Sequence, residues 1–471
     1  MIRRLWVWLV IVSLSGMLVF FGLNRIRECK QFGRDWFNRC GKIVKIILPK
    51  EYKKLEPLLP FYDYLLGFER PTTYMILLQN DMEMRPNGGF FGSYVIATVS
   101  ESKIDLRFQD IYVPDGQLDG HVEAPKAIEE AFRKGGYLLR DSDWESDFAV
   151  SAKTIRWFMT HGGEIDPDVM VTLSLSTIKK ILGVTGPIKI PDYELELTQD
   201  NIFKLLQAKV ESEFFPGSTQ KRDILSGVGK SLMAKLEYLP LSQKLKIAEI
   251  LLNEVEHKNI LVNTLNTALQ TQLEEMNMAG VLSYPHCTIE GCQIDLFLAV
   301  EANLGANKAN CCTNRVTKHT ITDNGEIIHH KIVVEYTNNS SEENPKLPDF
   351  FGGNYIDYVR FYIPKEATGL EVLASPTLPT TLDYYPTPYT GDPSRLDVSD
   401  YYLFKSIGLF HITRATTSST IELSYDLPKT SEDYELHILK QNGMQSSLQE
   451  ITFGDKVETT ELSDDFVFSA K

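Results

Sequence analysis

The spacing of apolar and polar positions divides the chain into two regimes. From Pro71 to about residue 200, short runs rich in β-branched and aromatic residues, "TYMILLQN", "YVIATVS", "KIDLRFQDIYV" and "DVMVTLSL", read as strands. They alternate with "APKAIEEAFRKGG", "DFAVSAKTIRWFMTHGG" and "LSTIKKILGVTG", whose apolar residues recur at helical spacing and stop at glycine. Asp147 stands where the second of these helices needs a cap, and "GPIKIP" adds a short strand. Residues 198–280 follow the helical period almost throughout, in "TQDNIFKLLQAKVESEF", "TQKRDILSGVGKSLMAKLEYL" and "LSQKLKIAEILLNEVEH". Strand–helix alternation followed by helices predicts a mixed-sheet α/β sandwich over residues 71–300, with a helical insertion. After about residue 300 the helical period disappears. "RVTKHTITD", "IIHHKIVVEYTNN", "YIDYVRFYIP", "FKSIGLFHIT", "STIELSYDLP" and "DYELHILKQ" are short alternating segments separated by turn residues, which predicts an antiparallel β-sandwich over 301–471.

A third pattern precedes both. Residues 5–24, "LWVWLVIVSLSGMLVFFGLN", carry no charge. At about 1.5 Å per residue such a run spans roughly the 30 Å hydrocarbon core of a bilayer. It is longer than the apolar region of a signal peptide and has no polar face, so residues 1–24 read as a cytoplasmic tip and an uncleaved single-pass membrane anchor. Residues 25–70, basic and then Pro-broken, read as a stalk. Arg3 and Arg4 precede the anchor, whereas Arg25, Arg27, Lys30, Arg34, Arg39 and Lys42 follow it. By the positive-inside rule this asymmetry places the body in the cytoplasm.

Composition narrows the function classes. A length of 471 residues allows two or three domains, and 43% hydrophobic residues supply a sizeable core. A formal charge of −15 argues against a nucleic-acid partner, which would require a basic face. The six cysteines fall in two groups, Cys29 and Cys40 beside the anchor and Cys287, Cys292, Cys311 and Cys312 near the middle. Local disulfides or free thiols suit these spacings. A zinc set with His286 does not, because C-x4-C followed by a vicinal pair departs from zinc-ribbon spacing. There is no G-x-S-x-G, no Walker loop and no H-E-x-x-H.

Three segments hold more polar and glycine residues than a fold requires. In "RPNGGFFGSY" a type I′ turn accounts for Asn87 and Gly88, but not for Arg85, Gly89 or Gly92. Glycines let backbone N–H groups approach a ligand and an arginine fork matches phosphate, so Arg85, Gly88 and Gly89 are expected to bind an anion. Phe90 and Phe91 would line an apolar entrance beside it, or fill the hairpin core. In "YLLRDSDWESDF" Arg140 precedes acids at every second position, and Asp141 and Asp143 could hold a hard cation through oxygen. The alternative there is a solvated loop with one helix cap. In "FQDIYVPDGQLDGH" Asp110 and Asp115 follow a strand, where turn chemistry explains Pro114-Asp115-Gly116 equally well.

With "LLQNDMEMRPNGGFFGSY", "FQDIYVPDGQLDGHVEAP", "YLLRDSDWESDFAVSAKTIRWF" and "ILGVTGPIKIP" in this order, the sequence resembles a bacterial family known as domain of unknown function 4012, which brings no established activity. A weaker likeness is to the LytR–CpsA–Psr fold of single-pass envelope phosphotransferases. That resemblance implies an extracytoplasmic body, opposite to the charge rule, and a membrane protein that binds a polyprenyl-pyrophosphate-linked glycan. It further implies arginines on the pyrophosphate and aspartates on Mg²⁺ at the equivalent places Arg85, Asp110, Asp115, Arg140 and Asp141, and Asp143 joins the metal set with Asp110 and Asp141 as an acid of the same loop. Asp115 or Asp141 would activate the hydroxyl of a cell-wall acceptor. The chain departs from that family's pattern at two places: "RSDT" is replaced by Gly92-Ser93-Tyr94, and "IPRD" by Val113-Pro114-Asp115-Gly116. An arginine is missing at each, so whether the protein is an enzyme stays open. The alternative is a non-catalytic envelope binding, adhesion or scaffold protein. Neither reading names the glycan, the partner or the oligomeric state.

Overall fold

Strands form where β-branched and aromatic residues cluster, and helices where the apolar period lengthens. The computed structural model describes residues 50–101, 103–133, 135–190, 193–211, 220–345, 351–376 and 386–470. The uncharged run 5–24, the basic residues after it, and Cys29 and Cys40 lie outside these. Among the described residues no helix is long and apolar enough to cross a membrane.

The contacts divide the chain into two compact units. The first comprises the described residues up to Gln79, Phe91–Asp119 and Phe148–Val281; the second comprises Asn80–Phe90, Gly120–Asp147 and the residues from Leu282 on.

The strands of the first part of the chain are Thr72–Arg85 (β1), Gly88–Ser100 (β2), Lys103–Asp110 (β3), Val169–Ser174 (β4), Ile188–Ile190 (β5), Leu195–Leu197 (β6) and Val262–Thr264 (β7). The helices are Tyr62–Leu65 (α1), Tyr112–Asp115 (α2), Lys126–Phe132 (α3), Phe148–His161 (α4), Leu175–Thr185 (α5), Ile202–Glu211 (α6), Gln220–Tyr238 (α7), Leu241–Glu256 (α8) and Thr267–Glu275 (α9). One sheet runs in the order β3-β2-β1-β4-β7 and is mixed: β1 and β4 are parallel, whereas β2–β3 and β4–β7 are antiparallel. The near-continuous apolar run of β1 fits a strand covered on both faces. Ile247, Leu251, Leu252 and Val255 of α8 bury against this sheet's core. The apolar end of the segment read as a stalk joins the same core, with Leu55, Leu58, Leu59, Leu65 and Leu66 all buried. Pro57 and Pro60 deny this run a regular α-helix, and Lys50–Phe61 winds instead as a 3₁₀ helix. Asp168 pins the start of β4 to the start of β1, accepting from Arg70 Nη1 at 3.1 Å, Thr73 N at 2.8 Å and Thr73 Oγ1 at 2.9 Å. Burial opposes its ionisation, but these hydrogen bonds outweigh it and hold the carboxyl below its usual range.

The second part of the chain contributes Gln293–Asn303 (β8), Thr313–Asp323 (β9), Ile327–Asn338 (β10), Tyr355–Pro364 (β11), Thr368–Ser375 (β12) and Asp397–Tyr401 (β13). Phe404–Thr413 (β14), Ser418–Pro428 (β15), Tyr434–Ile438 (β16), Leu448–Phe453 (β17), Lys456–Glu461 (β18) and Phe466–Ala470 (β19) follow. They make two six-stranded sheets, ordered β12-β15-β10-β9-β17-β18 and β13-β14-β11-β8-β16-β19. Their shared core includes Ile332, Tyr336 and Ile421 from one sheet and Val359, Phe361 and Ile407 from the other. The sheets are not purely antiparallel as the alternation predicts: β8–β16 and β9–β17 pair in parallel. Each of these pairs joins strands far apart in sequence, so no hairpin dictates their direction. Two local disulfides form, Cys287–Cys292 and the vicinal Cys311–Cys312.

A carboxylate lies at the centre of this second unit. Asp295 on β8 is fully buried and accepts from Tyr434 Oη at 2.6 Å and Tyr425 Oη at 2.7 Å, with His330 Nδ1 at 2.9 Å. His330 Nε2 in turn lies 3.1 Å from His319 Nδ1, and His319 Nε2 donates to Gln449 Oε1 at 3.0 Å. Burial, reinforced by the charge of His330, pushes His319 down to about 3. Burial alone pushes His411 down to about 4. Both rings are therefore neutral when folded, whereas the unfolded chain takes up protons near pH 6.5. Their contribution is complete above that pH and is lost as the pH falls towards 4. The urea midpoint of this unit is accordingly expected to drop between pH 7 and pH 4, with a shallower drop in His411→Gln; a midpoint flat over that range would contradict the assignment.

Candidate functional site

The tip of the β1–β2 hairpin is counted with the second unit, and its residues are occupied there. Asn87 Nδ2 donates to Asp143 Oδ1 and to the Glu145 carbonyl, both at 2.7 Å, and Asn87 Oδ1 accepts from Asn442 Nδ2 at 2.9 Å. Gln441 Nε2 donates to the Arg85 carbonyl at 3.2 Å. Backbones meet here without side chains between them. A Cβ on Gly443 would stand 2.2 Å from Gly88 Cα, and one on Gly89 would stand 2.2 Å from the Asn80 main chain. Gly88 also has φ +123°, which an L-residue rarely adopts. Close packing thus accounts for the glycines of this tip.

Arg85 is only 4% exposed. Its Nη2 lies 3.0 Å from Glu83 Oε1, and its Nη1 donates to the carbonyls of Met84 at 3.0 Å and Asn303 at 2.6 Å. Lys308 Nζ holds the other oxygen of Glu83 at 2.7 Å. The guanidinium lies 5.3 Å from the centre of the half-buried Phe90 ring. Burial opposes ionisation of Glu83, but the two cations prevail and keep its carboxyl below the usual range. Glu83, Arg85 and Lys308 form one buried ionic cluster.

The acidic loop after Tyr137 is not a solvated face. Asp141, Asp143 and Asp147 are buried, at 6%, 2% and 6% exposure. Leu139–Asp141 winds as one 3₁₀ turn, and Arg140 Nε lies 3.9 Å from Asp141 Oδ2 with its side chain 17% exposed. Asp147 Oδ2 accepts from Leu282 N at 3.3 Å. Trp144 supports the loop from below. Arg360 of β11, itself buried, stands 4.7 Å over the Trp144 ring and donates from Nη2 to the Trp144 carbonyl. Arg360 Nη1 also lies 3.8 Å from Glu145 Oε2. Burial, and then the charges of Glu145, Asp143 and Asp141, push the Tyr137 hydroxyl far above its ordinary value. The loop therefore concentrates negative charge in a poorly solvated place, with Arg140 and Arg360 beside it.

Residues 69–210, which hold both of these segments, match the model of a family described as a protein of unknown function, DUF4012. This segment is similar to DUF4012 domains. No curated protein matches the chain. Among solved structures it is similar to Bacillus subtilis TagV, at 16% identity over 45% of this chain and 81% of that one, with a TM-score of 0.27. It is also similar to Lin1025 from Listeria innocua, at 11% identity over 45% and 79%, with a TM-score of 0.24. A third is a Bacillus subtilis protein described as the transcriptional regulator yvhJ, at 16% identity over 44% and 76%, with a TM-score of 0.24.

Within the DUF4012 segment, Arg140, Asp141 and Asp143 come together on one loop, and Asn87 ties Gly88 and Gly89 of the hairpin tip to it. Asp110, Asp115 and Phe91 belong to the first unit. Asp110 ends β3, is 5% exposed and accepts from Tyr112 N at 2.9 Å, so that the chain turns into α2, which carries Asp115. Phe91 is fully buried, as a core residue of the hairpin. Among the described residues, the one set of three carboxylate, cysteine or imidazole groups whose ligand atoms all lie within 4.8 Å of one another is Cys287, Cys292 and Glu435, and its two sulfurs are joined in a disulfide. Asp141 and Asp143 offer at most a two-carboxylate donor set, which suits Mg²⁺ when substrate oxygens and water complete the octahedron. Glu83, Tyr137, Asn442 and Arg360 were not singled out in the sequence. Arg360 left one trace there, as the cation inside the mostly apolar strand "YIDYVRFYIP".

Removing Glu83 leaves two buried cations without their counter-charge. Glu83→Ala is expected to cost about 3–5 kcal/mol in chemical denaturation. Asn87→Ala, which leaves Asp143 short of a donor, is expected to cost about 1–3 kcal/mol. Wild-type stability in Glu83→Ala would exclude the ionic cluster.

Proposed function

We propose that the protein is a membrane-anchored cell-envelope protein whose DUF4012 segment binds a polyprenyl-pyrophosphate-linked glycan. The observation that carries this reading is the burial of Asp141 and Asp143 on an irregular loop beside Arg140. Burying carboxylates costs free energy, and a loop that only connects two elements would leave them in water. Arg140 keeps part of its side chain in solvent and supplies the planar donor fork that matches a phosphate. Asp141 and Asp143 would hold Mg²⁺, which on binding neutralises pyrophosphate charge. If transfer follows, a carboxylate of the same loop, Asp141, is the group to accept the proton of the cell-wall hydroxyl as the pyrophosphate leaves.

Binding without transfer is the second reading, and the commitment of Arg85 favours it. That guanidinium is spent on Glu83 and two carbonyls, so it is not available to a pyrophosphate unless the cluster opens. The two arginines missing from the phosphotransferase pattern point the same way. A non-catalytic envelope receptor or scaffold then uses the same loop for recognition alone.

Binding of polyprenyl pyrophosphate to the purified full chain, with and without Mg²⁺, tests the reading. Arg140→Ala and Asp141→Asn are each expected to weaken Mg²⁺-dependent binding at least tenfold while the thermal midpoint stays near wild type. Equal affinity in wild type and Arg140→Ala would remove the loop as the site. Consumption of the lipid-linked donor in the presence of wall acceptor separates transferase from receptor.

A further inference from the structure

The end of α4 presents an aromatic pair that the fold does not use. Trp157 is 43% exposed although it follows one helical turn after a buried stretch, and its ring stacks on that of exposed His161 at 4.0 Å between centroids and 24° between planes. The buried Phe158 meets the Trp157 ring edge-on at 5.0 Å and stiffens it from below. His161 Nδ1 donates to the Trp157 carbonyl at 2.7 Å, which fixes the orientation of the exposed ring.

Polar groups follow the pair at the end of the helix. After His161 the chain reverses through Gly162 and Gly163, with Glu164 N returning to the Met159 carbonyl at 2.8 Å. This brings Glu164 alongside the last turn of the helix. Its carboxylate accepts from Arg107 Nη2 at 2.6 Å, Tyr94 Oη at 2.8 Å and Ile165 N at 2.9 Å. Arg107 is about half exposed, so part of its fork remains in solvent. A Cβ on Gly162 would stand 2.5 Å from the Pro114 carbonyl, so glycine there lets α2, with Val113 and Asp115, pack against the end of α4.

We propose that Trp157 and His161 form a stacking platform for a pyranose ring, with the Arg107–Glu164 fork and His161 Nε2 meeting its hydroxyl groups. The chemical class, a glycan, rests on the envelope reading above; the place does not, since every residue named here belongs to the first unit. A sugar ring has one apolar face of C–H groups and a rim of hydroxyls, and this surface supplies an aromatic face beside charged hydrogen-bonding groups. A lipid tail would instead bury the Arg107–Glu164 pair with nothing to hydrogen-bond it. Two rings already stacked lose little side-chain freedom when a third ring is added.

The test is calorimetric titration of the purified full chain with tetra-N-acetylchitotetraose, alongside vesicles of phosphatidylcholine and phosphatidylglycerol. Saturable binding of the tetrasaccharide is expected, weakened at least tenfold in Trp157→Ala and less than threefold in Trp157→Phe, with unchanged thermal midpoints. No saturable binding, or equal affinity in Trp157→Ala, overturns the platform. Vesicle binding that depends on Trp157 in the absence of sugar binding also overturns it, and makes the ring a membrane contact. Sugar-free polyprenyl pyrophosphate is the separating control. Trp157→Ala should bind it as wild type does, and failure of the wild type to bind it removes the pyrophosphate reading while leaving the platform intact.

Discussion

A buried charge must be neutralised where it is buried, and that constraint organises the second unit. Glu83 pairs with both Arg85 and Lys308, which lie more than 220 positions apart in the chain, within one poorly solvated cluster. Neither cation could occupy that place without the carboxylate, and the carboxylate could not without them. The pairing fixes the end of β1 against the segment that precedes β9. The hairpin tip then reaches Asp143 through Asn87 and reaches the 441–443 segment through Gly88. The acidic loop inherits its position from this attachment, and Arg360 and Trp144 hold it from the other side.

The same logic recurs at Asp295, where one carboxylate gathers two tyrosines and a histidine between the sheets. It recurs again at Glu301, held by Arg315 at 2.5 Å and by Tyr355 Oη. Three acids of this unit are thus internal hubs with their own partners. Asp141 and Asp143 differ from them in setting: they lie on a loop, with the cation Arg140 partly in solvent.

Much of the fold was legible in the sequence. The period of two after residue 300 reflects strands with one face in a core, and the longer period in 198–280 reflects helices that cover the first sheet. Both follow from local geometry, so no tertiary contact was needed to find them. The parallel pairings β8–β16 and β9–β17 were not legible, because alternation records which face is buried and not which way a neighbour runs. The stretch 55–66 shows no period in the sequence because of its prolines, although its leucines belong to the first unit's core.

The candidate site divides along the same line. Sequence by itself determined that the hairpin and the 140–147 loop hold more glycine, arginine and acid than connection requires, because excess over the needs of a turn can be counted residue by residue. Tertiary structure decided what each was for. It gave Arg85 to Glu83 and the glycines to backbone packing, and it buried Phe91 while leaving Trp157 exposed. It also brought Arg360 to Trp144 from more than 200 residues away. The physical reason is that a side chain's type sets the interactions it can make, whereas desolvation and pairing depend on which distant segment the fold sets beside it.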